Sequence, residues 1–171
     1  MVKPISTSAQ HVRDQLELYG KSTAFLGLID TFAFDDDLVK GLVELAASDT
    51  PHPFPQYASH ILLHIARSYT EKLEIHYETL LDTILFTRNT SVQRNLLGAL
   101  LCYPLHSYRE GELLDWLFAR INSPDSKPGI LNYAVRKLAQ YAANYPELGQ
   151  EVRLALELRE ELSGKIGCVE L

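Results

Sequence analysis

His60 and His64 stand four residues apart in Ser-His-Ile-Leu-Leu-His-Ile-Ala, a spacing that sets two imidazoles on one helix face within reach of one metal ion. His76 and Glu74 follow on the next segment, so a mononuclear site can be drawn from the pair and either of them. The pattern stops short of that chemistry. No Glu adjoins the first His as in a metalloprotease helix, and the Glu-x-x-His pairs of di-iron bundles are missing. The apolar stripe of the same helix, Ile61, Leu62 and Ile65, turns both histidines toward water or a neighbouring helix pair. The expectation is therefore no metal and no cofactor. Asp35, Asp36 and Asp37 form a second acidic or ligating candidate, but they directly precede the apolar run Leu38, Leu42, Leu45 and Ala46. Carboxylates there cap free backbone N–H groups at a helix start, and Asp30 and Glu44 complete no calcium-loop spacing.

Nucleophilic and phosphate chemistry find still less. Gly-x-Ser-x-Gly and Gly-x-Gly-x-x-Gly are absent, Gly20-Lys21-Ser22 lacks the upstream glycine of a P-loop, and Cys102 has no charged sequence neighbour to activate it. No catalytic residue is expected. The chain of 171 residues has net charge −6, with 46% apolar and 22% charged residues, as an ordinary globular protein has. Charge is uneven: residues 1–87 carry 6 basic and 12 acidic side chains, 88–138 carry 7 and 4, and 139–171 carry 3 and 6. The mild positive band is mostly what a solvated face presents, although it can accept an acidic partner. General attraction to nucleic acid is not expected of an acidic chain. No apolar run approaches the ~20 residues of a membrane span. The start, Met-Val-Lys-Pro-Ile-Ser-Thr-Ser, lacks a secretory h-region, and Cys102 and Cys168 are the only cysteines. These features give the expectation of a cytoplasmic protein.

Helical periodicity must position whatever the chain presents. A first helix is expected over about 8–19 (Val12, Leu16 and Tyr19 on one face) and a second over about 23–33 with Phe25, Leu26, Leu28, Ile29 and Phe32. Asp-Thr-Pro-His-Pro-Phe-Pro at 49–55 then breaks the pattern, since three prolines remove backbone donors. Beyond it three helical hairpins are expected. The first pairs about 55–68 with 76–87 through a turn capped at Thr70, and the second pairs 91–102 with 109–121. The third pairs 130–144 with a helix that starts at Pro146 and ends at Gly164. Their apolar sets include Ala58, Ile61, Leu62, Ile65, Leu80, Leu81, Ile84, Leu85, Leu96, Leu97, Leu113, Leu114, Leu117, Phe118, Leu131, Ala134, Leu138, Val152 and Leu162.

Residues 77–86 and 110–119, Tyr-Glu-Thr-Leu-Leu-Asp-Thr-Ile-Leu-Phe and Glu-Gly-Glu-Leu-Leu-Asp-Trp-Leu-Phe-Ala, repeat Leu-Leu-Asp at an offset of 33. A period in that range marks one supersecondary unit stacked on itself. Asn132-Tyr-Ala-Val-Arg-Lys-Leu-Ala-Gln-Tyr-Ala-Ala-Asn-Tyr-Pro-Glu-Leu148 resembles the first helix and turn of a HEAT repeat. The resemblance covers about 55–162, and the chain is most similar to short, stand-alone bacterial HEAT-like proteins. It implies an all-α fold, a right-handed α-α superhelix (HEAT/ARM-like solenoid) of about 8–9 helices. In that scheme 1–171 is a single repeat domain: an N-terminal helical cap over 1–54, repeats over 55–162, and a tail over 163–171. Some similar proteins carry the name adenylosuccinate lyase. Lyases of that superfamily use a Ser-rich loop containing Met and Lys, whereas this chain has no Ser-Ser pair and only Met1. HEAT-like DNA alkylpurine glycosylases share the repeat type but have a basic, aromatic concave surface poorly matched by an acidic chain with one tryptophan.

The expected function is a non-catalytic protein-interaction or scaffold module that holds a protein partner on the ridge of the second helices. The alternative is an enzyme or nucleic-acid-processing protein using the same groove. By periodicity the ridge presents Asp82, Asp115, Trp116, Arg120 and Arg153. Trp116 occupies the place of Thr83 in the preceding copy, either as a groove aromatic or packed between hairpins. Tyr103, Tyr108, Tyr133, Tyr141 and Tyr145 are expected to seal turns and seams. A short repeat array can also cover an end by pairing with a second copy.

Overall fold

The computed structural model describes residues 4–19, 27 and 29–163. Ten α-helices occur there: α1 Thr7–Tyr19, α2 Ile29–Ala33, α3 Asp36–Ala47, α4 Phe54–Ser68, α5 Glu71–Glu74, α6 Tyr77–Phe86, α7 Thr90–Leu100, α8 Glu110–Asn122, α9 Pro128–Asn144 and α10 Pro146–Ser163. No strand occurs among the described residues. Two compact units divide the chain, Met1–Tyr103 and Pro104–Leu171. Expectations for Phe25, Leu26, Leu28, Gly164, Cys168 and the 165–171 tail, and for the side chains of Tyr19 and Leu162, lie outside the described residues.

In the first unit, α4 packs chiefly against α3 on one side and α7 on the other. Its stripe of Ala58, Ile61, Leu62, Ile65 and Ala66 is fully buried between them. A polar seam sets the register with α7. Buried Asn95 donates from Nδ2 to Ser59 Oγ at 3.1 Å and to Gln56 O at 3.4 Å, while its Oδ1 accepts from Arg94. Because an unsatisfied buried amide would cost about 1–3 kcal/mol, only the alignment that keeps these bonds is cheap. Gln93 similarly donates to Ile84 O at 3.2 Å and Thr87 O at 2.8 Å, meeting free carbonyls at the end of α6.

The helix starts follow local chemistry. Asp35 Oδ1 accepts from Asp37 N at 3.0 Å and Leu38 N at 3.1 Å, the capping role expected of the Asp run. Asn89 does the same for α7 through Ser91 N and Val92 N. Thr70 departs from expectation: its hydroxyl donates back to Ala66 O at 2.9 Å and makes no cap bond, and the supposed turn contains α5, anchored by fully buried Leu73. Tyr103 closes the unit by donating to Thr70 O at 2.6 Å and meeting the Tyr77 ring edge-on at 6.0 Å. Burial holds its hydroxyl well above the ordinary phenol range, so it stays a donor.

The second unit is a three-helix packing of α8, α9 and α10. Leu113, Leu117 and Ile121 of α8 are buried with Ile130, Ala134, Leu138 and Tyr141 of α9 and Val152 of α10. Leu114, Phe118 and Leu131 are only half-buried, because each lies at the edge of its stripe. Lys137 interrupts the α9 stripe while fully buried and is engaged by its surroundings. Tyr145 does not seal its turn and is 41% exposed.

α1 and α3 meet closely at Gly41, where an added Cβ would stand 2.7 Å from Ser8 O and 2.8 Å from Ser8 C. Backbone cannot rotate away as a side chain can. Gly41→Ala should therefore lower stability by about 1–3 kcal/mol, although alanine is the better helix former by about 1 kcal/mol. Thermal unfolding checks this, and an unchanged or raised midpoint would contradict the close seating of α1 on α3.

Candidate functional site

A helical step turns each successive side chain by about 100°, so the buried line Leu113, Leu117 and Ile121 decides where every other residue of α8 points. Trp116 and Arg120, one turn apart, lie together on one flank of that line, and both are half-buried. The Arg120 guanidinium carbon sits 5.1 Å from the centroid of the Trp116 ring, within cation–π range. Its Nε is buried without a hydrogen-bond partner. Asp115 is exposed and lies a full residue step further from the core, so it faces solvent apart from the pair. Arg153 is exposed on α10 beside buried Val152. Asp82 belongs to the first unit, half-buried on α6. Helix α8 thus joins Trp116 to Arg120 and separates Asp115 from both.

Trp116 differs from its counterpart in the earlier copy. Thr83 is buried, with its hydroxyl donating to Thr79 O at 2.7 Å, whereas the larger indole rides the flank of α8 under the arginine. At the N-terminal end of α8, Arg109 adopts a left-handed backbone with φ 48°, its guanidinium 5.6 Å from the Tyr108 ring centre and 2.6 Å from Glu112 Oε2. Arg159 is the residue that sequence reading missed. From α10 it donates through Nη1 to Ile121 O at 2.8 Å and to Ser123 O, answering the free carbonyls and negative end of α8. That pairing spans more than thirty positions, beyond any local spacing rule.

The two histidines do come together. His60 Nε2 and His64 Nε2 are 3.1 Å apart, with ring centroids 4.8 Å apart. Burial holds His60 below the ordinary imidazole value, followed by the positive influence of His64, Arg94 on α7 and Arg67. Burial and then Arg67 do the same for His64. His76 lies elsewhere, at the start of α6; burial lowers its pKa, and Asp36 opposes what Lys40 adds. Glu74 is exposed on α5. No group of three or more His, Cys, Asp or Glu that could hold a metal ion occurs among the described residues, so the drawn site of His60, His64 and His76 or Glu74 is not assembled there.

The pH consequence has a definite sign. Unfolded chains take up these imidazole protons near pH 6.5, about the ordinary value, and the folded chain only below it. Stability supplied by the neutral histidines is present above about pH 6.5 and is lost as pH falls through the lowered folded values. Denaturant unfolding should show a less stable protein at about pH 5.5 than at about pH 7.5, with a shallower dependence in His60→Gln/His64→Gln. Equal slopes for parent and variant would contradict this assignment.

No helix among the described residues is long and apolar enough to cross a membrane. Comparison with curated proteins and with solved structures returned no match. The family model of the HEAT repeat domain matches residues 35–169, well over half of the chain. That span takes in α3 to α10 across both units, and with the all-helical architecture it sustains the α-solenoid class read from the repeat. The chain belongs to the HEAT repeat family.

Proposed function

We propose that the protein is a non-catalytic interaction module that binds a protein partner on its second helices, with Trp116 and Arg120 as the centre and Asp115 and Arg153 as outlying contacts in the second unit, and with Asp82 as a separate candidate contact on α6 of the first unit. HEAT repeats as a class mediate protein–protein interaction through extended helical surfaces, which is the coarse statement that family membership carries. The finer reading rests on one observation. The only tryptophan of the chain is kept partly at the surface of α8 and stacked under an arginine rather than sunk among Leu113, Leu117 and Ile121. Tryptophan and arginine are the residue types that most often dominate binding energy at protein interfaces.

The same proposal includes residues 1–171 acting as one repeat domain in a cytoplasmic setting, where Cys102 is a free thiol. Pairing with a second copy is part of it too, because Leu154 and Leu158, one turn apart on α10, are 60% and 59% exposed. No observation favours an enzymatic or nucleic-acid reading.

Truncating the indole separates recognition from packing. Trp116→Ala should retain a thermal midpoint near that of the parent while losing capture of the partner obtained by affinity purification from native cells. A core role would instead cost about 3–5 kcal/mol and unfold or strongly destabilise the protein. Capture that survives in the folded variant would remove Trp116 from the site.

A further inference from the structure

We infer that the Trp116–Arg120 flank of α8 receives a carboxylate-bearing peptide segment, Arg120 taking the carboxylate and the indole taking an adjacent apolar side chain. The inference rests on the ridge reading and narrows its partner to an acidic protein segment.

The charges of the second unit are what point to it. Arg109 is already ion-paired with Glu112, and Arg159 is committed to the carbonyls of Ile121 and Ser123. Arg120 is different. It is half-buried and in contact with the Trp116 ring and forms no ion pair with a described residue, while its Nε, like that of Arg159, is buried without a hydrogen bond. Positions three and four residues away hold Trp116, Leu117, Ser123 and Pro124, so no carboxylate stands one turn from it along the chain. A cation partly removed from water with no paired anion among the described residues is incompletely compensated there, and a carboxylate brought by a partner would supply the missing charge. Contact with the indole limits how freely the guanidinium turns, and its forked donors suit the two oxygens of a carboxylate.

Arg13 offers a control within the same chain. It lies 5.0 Å from the Phe54 ring centre, and its Nε is likewise buried without a partner. Glu17, however, lies four positions further along α1, where Arg120 has Pro124. Nucleic acid fits the flank less well. Backbone binding draws on several cations that neutralise several phosphates, whereas the described flank sets one arginine beside Trp116, on a chain of net charge −6.

The test uses the full chain and three synthetic peptide pools, randomised except for a fixed Glu-Phe, Gln-Phe or Lys-Phe pair. Binding is read by the emission of Trp116, the single tryptophan, and by anisotropy of the labelled peptides. The Glu-Phe pool should bind at least about tenfold more tightly than the other two, and weaken as salt rises. Arg120→Gln should remove about tenfold of that affinity, Trp116→Phe should weaken it, and Arg13→Gln should leave it unchanged, all three variants being confirmed as folded by circular dichroism. No preference for Glu-Phe, or preference for Lys-Phe, would overturn the inference. Glu-Phe binding that is lost in Arg153→Gln but kept in Arg120→Gln would refute it while sparing the ridge reading. Binding indifferent to every ridge variant would sink both.

Discussion

The first unit depends on one helix being buried from two sides. α4 gives up Ala58, Ile61, Leu62, Ile65 and Ala66 to α3 and α7 together, and no single neighbour could cover that width. A helix of this kind is stable only within a stack, which is the physical reason a repeat must recur. The polar groups that remain on α4 are then constrained in turn. Ser59 lies on the α7 side and must be met by Asn95; His60 and His64 fall at the margin, half-buried, where burial lowers both pKa values, helped at His60 by His64, Arg94 and Arg67 and at His64 by Arg67.

In the second unit the same rule operates on fewer helices. Leu113, Leu117 and Ile121 use the core face of α8 completely, so a side chain as large as tryptophan at 116 is obliged to lie along the flank. Arg120 follows it one turn later, and Arg159 ties off the far end of the helix from α10. Packing thus holds both ends and the core face of α8. What it leaves on the flank is an aromatic with a guanidinium carbon 5.1 Å from its ring centre.

The helices and most of their buried residues were legible in the sequence because apolar spacing and capping chemistry are local. Asp35 before α3, Pro146 at the start of α10 and the α4 stripe could all be read from neighbours a few positions away. α5 was not legible, since Thr70 has the composition of a cap but its hydroxyl bonds backward to Ala66. Asn95 with Ser59 and Arg159 with Ile121 were hidden because their partners lie tens of residues distant. For the candidate surface, periodicity placed Trp116, Arg120 and Asp115 on one ridge, whereas the core line of α8 sets Asp115 apart from the other two. A ridge of second-helix residues is wider than one contact, and only the position of the core line separates its two sides.

The claim that organises this account is that Trp116 belongs to the surface and not to the core. As the single tryptophan of the chain, its indole can be followed by acrylamide quenching of fluorescence in the free protein and with the acidic peptide bound. An indole readily quenched when free and shielded when the peptide binds is the result this account predicts. An indole as protected in the free protein as a buried core residue, and unchanged on binding, would contradict it.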